Sequence, residues 1–218
     1  MSAKPTLKNL KKEILLLIDY AVPENQLDNA RQFVAKMQTD RIALNILKEF
    51  YSFLPEAEND FVAKLQLLES KEQKFLMLVT TSLDKYIYIA DIDRAEYLGR
   101  HDDGIWDQDV LDLFAMSREE TLEKFHSPEH LPEYVPPSHS QSHCVVCLAK
   151  PGETHRLGCP VEICPWCGGQ LTNCNCRFTK MGKEELTTEK EVEAFLDLLN
   201  DKGRIPYDTS QKLGGLLE

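Results

Sequence analysis

The sequence has no long apolar run. The apolar stretch nearest its start, Ile14–Ile18, is short and lies between two charged residues, Glu13 and Asp19. A membrane-spanning helix needs about 20 consecutive apolar residues, and a secretory signal has an apolar centre of about 7–15 residues. We therefore expect a cytoplasmic protein without a membrane segment.

Positive charge is also scarce. The formal net charge is −11, and most of the acidic excess lies in residues 1–137, whereas residues 138–180 are slightly basic. A chain with this charge repels the phosphate backbone of nucleic acids. The sequence also lacks the glycine-rich motifs that bind nucleotide phosphates. These two features disfavour binding of nucleic acid across the whole surface and give no indication of a nucleotide site.

Cysteine is missing from the first two thirds of the chain, and all seven cysteines lie between Cys144 and Cys176. A disulfide scaffold spreads its cysteines through a secreted chain and pairs all of them. The clustering and the odd number instead predict thiolate metal ligands in a reducing compartment. A Pro/Ser-rich segment, residues 133–142, precedes the cluster and is typical of a linker. We therefore predict two domains, residues 1–135 and residues 136–218.

The first domain is predicted to be an acidic helical bundle with one β-hairpin. Apolar residues recur at helical spacing in four segments, which are residues 7–18, 27–37, 42–54 and 61–68. Two apolar runs separated by a short polar turn are typical of a hairpin; they are residues 75–81 and 86–90. Capping-box sequences at Ser117 and Thr188 predict two further helices, the second of them in the C-terminal domain.

Four polar residues of the first domain would be the first to suspect if the protein were an enzyme. They are Asp91, Asp93, His101 and Asp102. Their spacing matches neither a calcium-binding loop nor the His-Asp pattern of phosphohydrolases, so an acidic, solvated loop is the simpler interpretation. An enzyme with a site in this domain is therefore kept only as an alternative.

The cysteine-rich block predicts zinc. Its two Cys-x-x-Cys pairs, at Cys144 and Cys164, have the separation that is typical of four-ligand zinc sites. Two intervening residues allow a tight turn that aims both sulfurs at one ion. Seven cysteines and one histidine provide eight ligands, enough for two closed tetrahedral sites: Cys144, Cys147, His155, Cys159, Cys164, Cys167, Cys174 and Cys176. His143 is an alternative to His155, and a single zinc ion with three ordinary buried cysteines is the simpler alternative.

Two divisions of these eight ligands are possible. In the sequential one, the first four along the chain bind one ion and the last four bind the other. In the interleaved one, alternate pairs share an ion, as in cross-braced RING-like or FYVE-like modules. Either division fills all coordination positions, whereas catalytic zinc keeps one position open. The sequence therefore predicts an α+β protein in which a small zinc-ribbon or cross-brace-like module with a C-terminal helix follows the bundle, and in which zinc is structural.

The segment CPWCGGQLTNCNC, Cys164–Cys176, preceded by His155 and Cys159, resembles a zinc knuckle of uncharacterised bacterial proteins. Lys202–Tyr207 resembles the tail that often accompanies this knuckle. The resemblance covers residues 144–207 and implies zinc binding in a bacterial cytoplasmic protein, without a known activity.

These observations favour a non-enzymatic protein whose zinc module binds another protein. Trp166 is either an exposed anchor for that partner or a cover over the zinc sulfurs. The alternative is a zinc ribbon that binds nucleic acid, with a basic face formed by Arg156, Arg177, Lys180 and Lys183. The thiolate charge of the metal sites and the acidic remainder of the chain disfavour it.

Overall fold

The structure, a computed structural model, describes residues 5–53, 60–136 and 143–211. These residues form seven α-helices and a four-stranded antiparallel sheet, so the predicted α+β class is confirmed. The chain divides into two compact units, Met1–His139 and Ser140–Glu218. The predicted boundary between residues 135 and 136 lies close to this division.

The first unit begins with three helices that the apolar spacing predicted. They are α1 (Leu7–Ala21), α2 (Leu27–Met37) and α3 (Arg41–Phe53). The side chain of Thr6 caps α1 by accepting a hydrogen bond from the backbone of Asn9, and the buried Asp40 carboxylate accepts one from the N–H of Ala43 at 2.7 Å. Both caps satisfy N–H groups that the first helical turn leaves without an intrahelical partner.

Four strands follow in the order of the chain. They are β1 (Val62–Lys71), β2 (Lys74–Thr81), β3 (Lys85–Ala90) and β4 (Ala95–Arg100). The predicted hairpin is present as β2 and β3, in which Met77 pairs with Tyr88. The predicted helix over residues 61–68 is wrong, because these residues form β1. Register irregularities at Val62/Lys64 and Leu67/Glu69 interrupt the two-residue alternation of this strand, which leaves its buried leucines at a spacing that imitates a helix.

Two short helices complete the first unit on one face of the sheet. They are α4 (Gln108–Phe114) and α5 (Arg118–Lys124). Leu76 and Leu78 of β2 and Ile87 of β3 form a buried cluster with Val110 and Phe114 of α4. Successive side chains of a strand point to opposite faces. The residues between those of this cluster therefore point to the other face of the sheet. The capping box predicted at Ser117 is present at the start of α5.

The predicted linker, residues 133–142, overlaps the first unit. Tyr134 is buried, its N–H donates to the carbonyl of Leu65 at 2.9 Å, and its hydroxyl donates to the Asp40 carboxylate at 3.1 Å. Residues 137–142 lie outside the described part of the chain. The Pro/Ser-rich composition therefore misplaced the start of the linker, because Tyr134 is held by a strand that the sequence did not predict.

The second unit contains two helices, α6 (Cys176–Met181) and α7 (Glu189–Lys202). The capping box predicted at Thr188 is present, and α7 ends at Gly203, whose φ is +86°. Such a φ is strained for any other residue, so glycine is the natural residue at this helix end. Among the described helices of both units, none is long and apolar enough to cross a membrane.

Candidate metal centre

The structure brings the eight predicted ligands together in two groups of four. Within each group the ligand atoms lie within 4.8 Å of one another. The first cluster consists of Cys144, Cys147, His155 and Cys159, and the second cluster consists of Cys164, Cys167, Cys174 and Cys176. The grouping follows the sequential alternative and not the interleaved one, and it includes His155 rather than His143. Each group could hold one metal ion.

Two tight turns, the knuckles, place the paired cysteines of each cluster. In the first knuckle, residues 144–149, the N–H of Cys144 donates to the carbonyl of Ala149 and the N–H of Leu148 donates to the carbonyl of Cys144, both at 2.9 Å. These bonds fold the backbone around the cysteine sulfurs. Leu148 takes a φ of +64° to close the turn, which is a strained conformation for a residue with a side chain.

The second knuckle, residues 164–169, has the same two hydrogen bonds. The N–H of Cys164 donates to the carbonyl of Gly169 at 2.7 Å, and the N–H of Gly168 donates to the carbonyl of Cys164 at 2.9 Å. Gly168 occupies the position of Leu148 and has a φ of +73°. Glycine adopts this φ without strain, which is the reason for a glycine directly after the second Cys-x-x-Cys pair.

The distances in the first cluster fit a tetrahedral ion. Sulfurs bound at about 2.3 Å in a tetrahedron lie about 3.8 Å apart. The sulfurs of Cys144 and Cys159 are 3.8 Å apart, and Nδ1 of His155 is 3.3 Å from the sulfur of Cys147. All four side chains are buried. Three thiolates and an imidazole confined at this spacing are the donor set of a structural metal site.

The electrostatics of the first cluster favour a cation. Burial alone would lower the pKa of His155, but hydrogen bonds with Cys144, Cys147 and Gln211 raise this pKa to about 10. Hydrogen bonds from Cys147 and Cys159 lower the pKa of Cys144 far below the usual range of a thiol. Hydrogen bonds with Cys144 and Cys147 raise the pKa of Cys159. A proton on His155 thus balances the thiolate of Cys144, and a divalent ion bound by these ligands would replace that proton as the positive charge.

The chain after α7 covers the first cluster. Tyr207 is buried against the cysteines of this cluster, and its ring lies edge-on to the ring of His155, with 5.3 Å between centroids. Two backbone hydrogen bonds fix it: the N–H of Tyr207 donates to the carbonyl of Glu153 at 2.7 Å, and the N–H of Gly152 donates to the carbonyl of Tyr207 at 2.9 Å. The KGRIPY segment, Lys202–Tyr207, thus forms part of the wall of the site.

A buried ion pair holds this segment in place. Nη2 of Arg204 lies 2.7 Å from Oε1 of Glu162, and the two side chains are 10% and 1% exposed. Nη2 of Arg204 also donates to the carbonyl oxygen of His155. Sequence reasoning missed both residues, together with Gln211. The resemblance drew attention to the segment around Arg204, but no local pattern indicates which residues it contacts.

The second cluster is more open than the first. Cys164 is buried, Cys174 and Cys176 are partly buried, and Cys167 is exposed. A hydrogen bond from the backbone of Gly169 lowers the pKa of Cys167, whereas a hydrogen bond with Cys167 raises the pKa of Cys176 to about 12. One exposed sulfur therefore carries thiolate character without a protein cover.

Helix α7 forms the apolar floor of the second cluster. Phe195 and Leu199 are buried in one group with Cys164 and Leu171, as the amphipathic pattern of α7 predicted. Trp166 is partly buried and its ring centroid lies 6.3 Å from that of Phe195. Trp166 therefore packs against α7 and is not the exposed anchor that one interpretation of the sequence required.

Two of the four residues suspected of contacting nucleic acid, Arg177 and Lys183, are engaged within the unit. Nη1 of Arg177 donates to the carbonyls of Leu171 and Thr172 at 3.0 and 2.7 Å. Lys183 forms an ion pair with Glu191 of α7. The charges of these two residues are thus directed to carbonyl oxygens or to a carboxylate of the same unit.

The structure does not bring the four suspected enzymatic residues together either. Asp91 borders one surface cavity, whereas His101 and Asp102 border another. The Asp91 carboxylate accepts hydrogen bonds from two backbone N–H groups of its own turn and pairs with Lys74 at 2.9 Å. Nε2 of His101 lies 2.8 Å from the carbonyl oxygen of Phe125 and Nδ1 lies 2.9 Å from Asp102. The Asp91 carboxylate and the His101 ring are therefore each engaged in contacts of their own local structure.

Comparisons with protein-family models, with curated proteins and with solved structures each gave no match.

Proposed function

We propose that this chain is a non-enzymatic zinc protein in which residues 143–211 fold around two structural zinc ions. The observation that carries the proposal is the closure of eight ligands into two groups, one of three cysteines with a histidine and one of four cysteines. Both donor sets are typical of structural zinc, which prefers thiolate and imidazole ligands in tetrahedral geometry. Four protein ligands leave no position for a substrate, so the ions would stabilise the fold rather than catalyse a reaction.

The packing of the second unit supports this role. Apart from Leu148, its described buried apolar residues form two small groups, one around the first cluster and one around the second, and cysteines belong to both. A domain with so little apolar core usually depends on its metal to fold. All seven cysteines belong to the two ligand groups, and the reducing compartment that we propose for them, such as the cytoplasm, keeps thiolates available to a metal. The two knuckles support the resemblance to bacterial zinc-knuckle proteins, which remains part of the proposal.

The partner that we propose for the module is another protein. Val145, at the tip of the first knuckle, exposes 74% of its surface, and an exposed apolar tip on a rigid turn is suited to an apolar pocket. Nucleic acid is the less favoured partner because Arg177 and Lys183 are engaged within the unit. Retention on a nucleic-acid column that disappears with moderate salt would contradict this choice.

The test of the proposed function is metal content. The chain is purified without added metal, and elemental mass spectrometry is combined with an independent protein concentration. We expect about two zinc ions per chain, as the two four-ligand groups require. One ion per chain would contradict the two-site assignment, and a redox-active metal would contradict a structural role.

A further inference from the structure

Gln211 contacts the histidine of the first cluster from outside the ligand set. The ring of His155 directs Nδ1 toward the sulfur of Cys147, at 3.3 Å, and places Nε2 2.9 Å from Oε1 of Gln211. A neutral imidazole carries its proton on one nitrogen and a lone pair on the other, and only the lone pair binds a metal. The neighbour of Nε2 therefore decides whether Nδ1 is able to serve as a ligand.

The orientation of the Gln211 amide is fixed by the same segment. Its Nε2 donates to the carbonyl of Pro206 at 3.0 Å, and its backbone N–H donates to the carbonyl of Asp208 at 2.9 Å. Because the amide nitrogen must face an acceptor, the amide oxygen is the atom that faces His155. An oxygen accepts, so the hydrogen bond requires a proton on Nε2 of His155 and leaves the lone pair on Nδ1.

We propose that Gln211 is a positioning residue of the first metal site: it accepts the Nε2 proton of His155 and thereby holds the tautomer and ring orientation in which Nδ1 binds the metal. The inference rests on the proposed function, because it assumes that the first cluster binds zinc. Such outer partners of a ligating histidine typically change metal affinity by about 10- to 100-fold when they are removed.

The same hydrogen bond links the C-terminal segment to the metal site. Arg204 binds the backbone of His155, Tyr207 packs against its ring, and Gln211 binds its side chain. We call residues 204–211 the clasp. Through the clasp, metal binding at the first cluster and docking of the chain after α7 stabilise each other, because each fixes the position of His155.

The test compares three variants of the full chain. Gln211→Met keeps the length of the side chain but removes the acceptor, Gln211→Glu restores an acceptor, and Gln170→Met makes the same change near the second cluster. The side chain of Gln170 accepts from Asn173, and its backbone carbonyl accepts from the N–H of Cys174 of the second cluster. Cobalt is used as the probe metal, since a site with one imidazole and a site with four thiolates have different visible spectra, and zinc affinity is measured by competition with a chelator.

We expect Gln211→Met to weaken zinc binding at the first cluster by about 10- to 100-fold, with the second cluster unchanged. Gln211→Glu should restore most of the affinity, and Gln170→Met should leave the first cluster unaffected. In nitrogen NMR spectra of the zinc-loaded wild type, Nε2 of His155 should carry the proton, and this proton should exchange faster in Gln211→Met.

Unchanged affinity in Gln211→Met, or a proton on Nδ1 in the wild type, would overturn the inference. Failure of Gln211→Glu to restore affinity would overturn it as well, because a merely structural role would then explain the loss. A wild-type chain without zinc at the first cluster would contradict the proposed function itself, which is a distinct result.

Discussion

The two metal clusters use the same turn but have different surroundings. In the first, all four ligands are buried beneath the clasp, whereas in the second only Cys164 is buried and Cys167 is exposed. The hydrogen bonds of the two knuckles are identical in pattern, so the knuckles do not cause this difference. Access to the ligands is set by distant segments, which are the clasp at the first cluster and α7 at the second.

The knuckles also differ in how they close. Leu148 and Gly168 share a position with positive φ, yet only glycine is unstrained there. The side chain of Leu148 is buried, and burial of a leucine contributes about 1.5–3 kcal/mol, which offsets a backbone strain of about 1–2 kcal/mol. The first knuckle is therefore strained in its backbone but gains the burial of the Leu148 side chain, whereas the second is unstrained and has no side chain to bury at Gly168.

The strongest way to separate the two clusters is to remove one ligand from each. Cys144→Ser and Cys164→Ser should each lower the zinc content from about two ions per chain to about one, because each site needs all four ligands. Cys164→Ser should also reduce helical circular dichroism, since Phe195 and Leu199 of α7 pack beside Cys164. Elemental mass spectrometry and far-ultraviolet spectra measure both effects. Loss of both ions from either variant would show that the clusters are not independent.

The accessibility of the ligands to reagents should also distinguish the two clusters. In the zinc-loaded protein we expect an alkylating reagent to modify Cys167 before any cysteine of the first cluster, because zinc holds every ligand sulfur as a thiolate and Cys167 is exposed whereas Cys144, Cys147 and Cys159 are buried. A chelator should likewise remove zinc from the second cluster first. Peptide mass spectrometry after short exposures gives the order of modification. Equal rates at Cys167 and Cys147 would contradict the difference in burial.

The clasp can be broken at its ion pair. Arg204→Met leaves the carboxylate of Glu162 buried without its partner, and removal of one partner of a buried ion pair costs about 3–5 kcal/mol. Thermal unfolding of the zinc-loaded chain should show this loss. The double variant Arg204→Met, Glu162→Gln is the control, and it should recover part of the stability because no buried charge remains. A double variant that is less stable than Arg204→Met alone would contradict the explanation.

The smallest predicted effect tests the knuckle turn itself. Gly168→Ala should destabilise the second unit by about 1 kcal/mol, because alanine is strained at positive φ. A Cβ at Gly168 meets no atom within 4 Å, so the backbone alone is tested. Gly169→Ala is the matched control: its Cβ would lie 3.7 Å from the sulfur of Cys167, an ordinary contact, and its φ is not positive. Equal unfolding midpoints for the two variants would show that backbone strain is not the cause.

Local patterns were sufficient to predict some parts of the molecule and not others. The ligands were predictable because Cys-x-x-Cys spacing encodes a turn, and α7 was predictable because its capping box and apolar stripe are local. The strand β1 was not predictable, because its bulges interrupt the alternation of buried and exposed residues and leave the buried Leu65 and Leu68 at a spacing typical of a helix. Arg204 and Gln211 were not either, because they act on His155 from 49 and 56 residues away, and no local spacing records such contacts.

The position of the clasp has a consequence for synthesis of the chain. The four ligands of the second cluster lie within residues 164–176, so they leave the ribosome before Gln211 does. The ligands of the first cluster emerge earlier still, but their cover is translated only after α7. Chains are made from the N-terminus and begin to fold during synthesis. The first cluster is therefore the first to have all its ligands synthesised and the last to be covered by the rest of the chain.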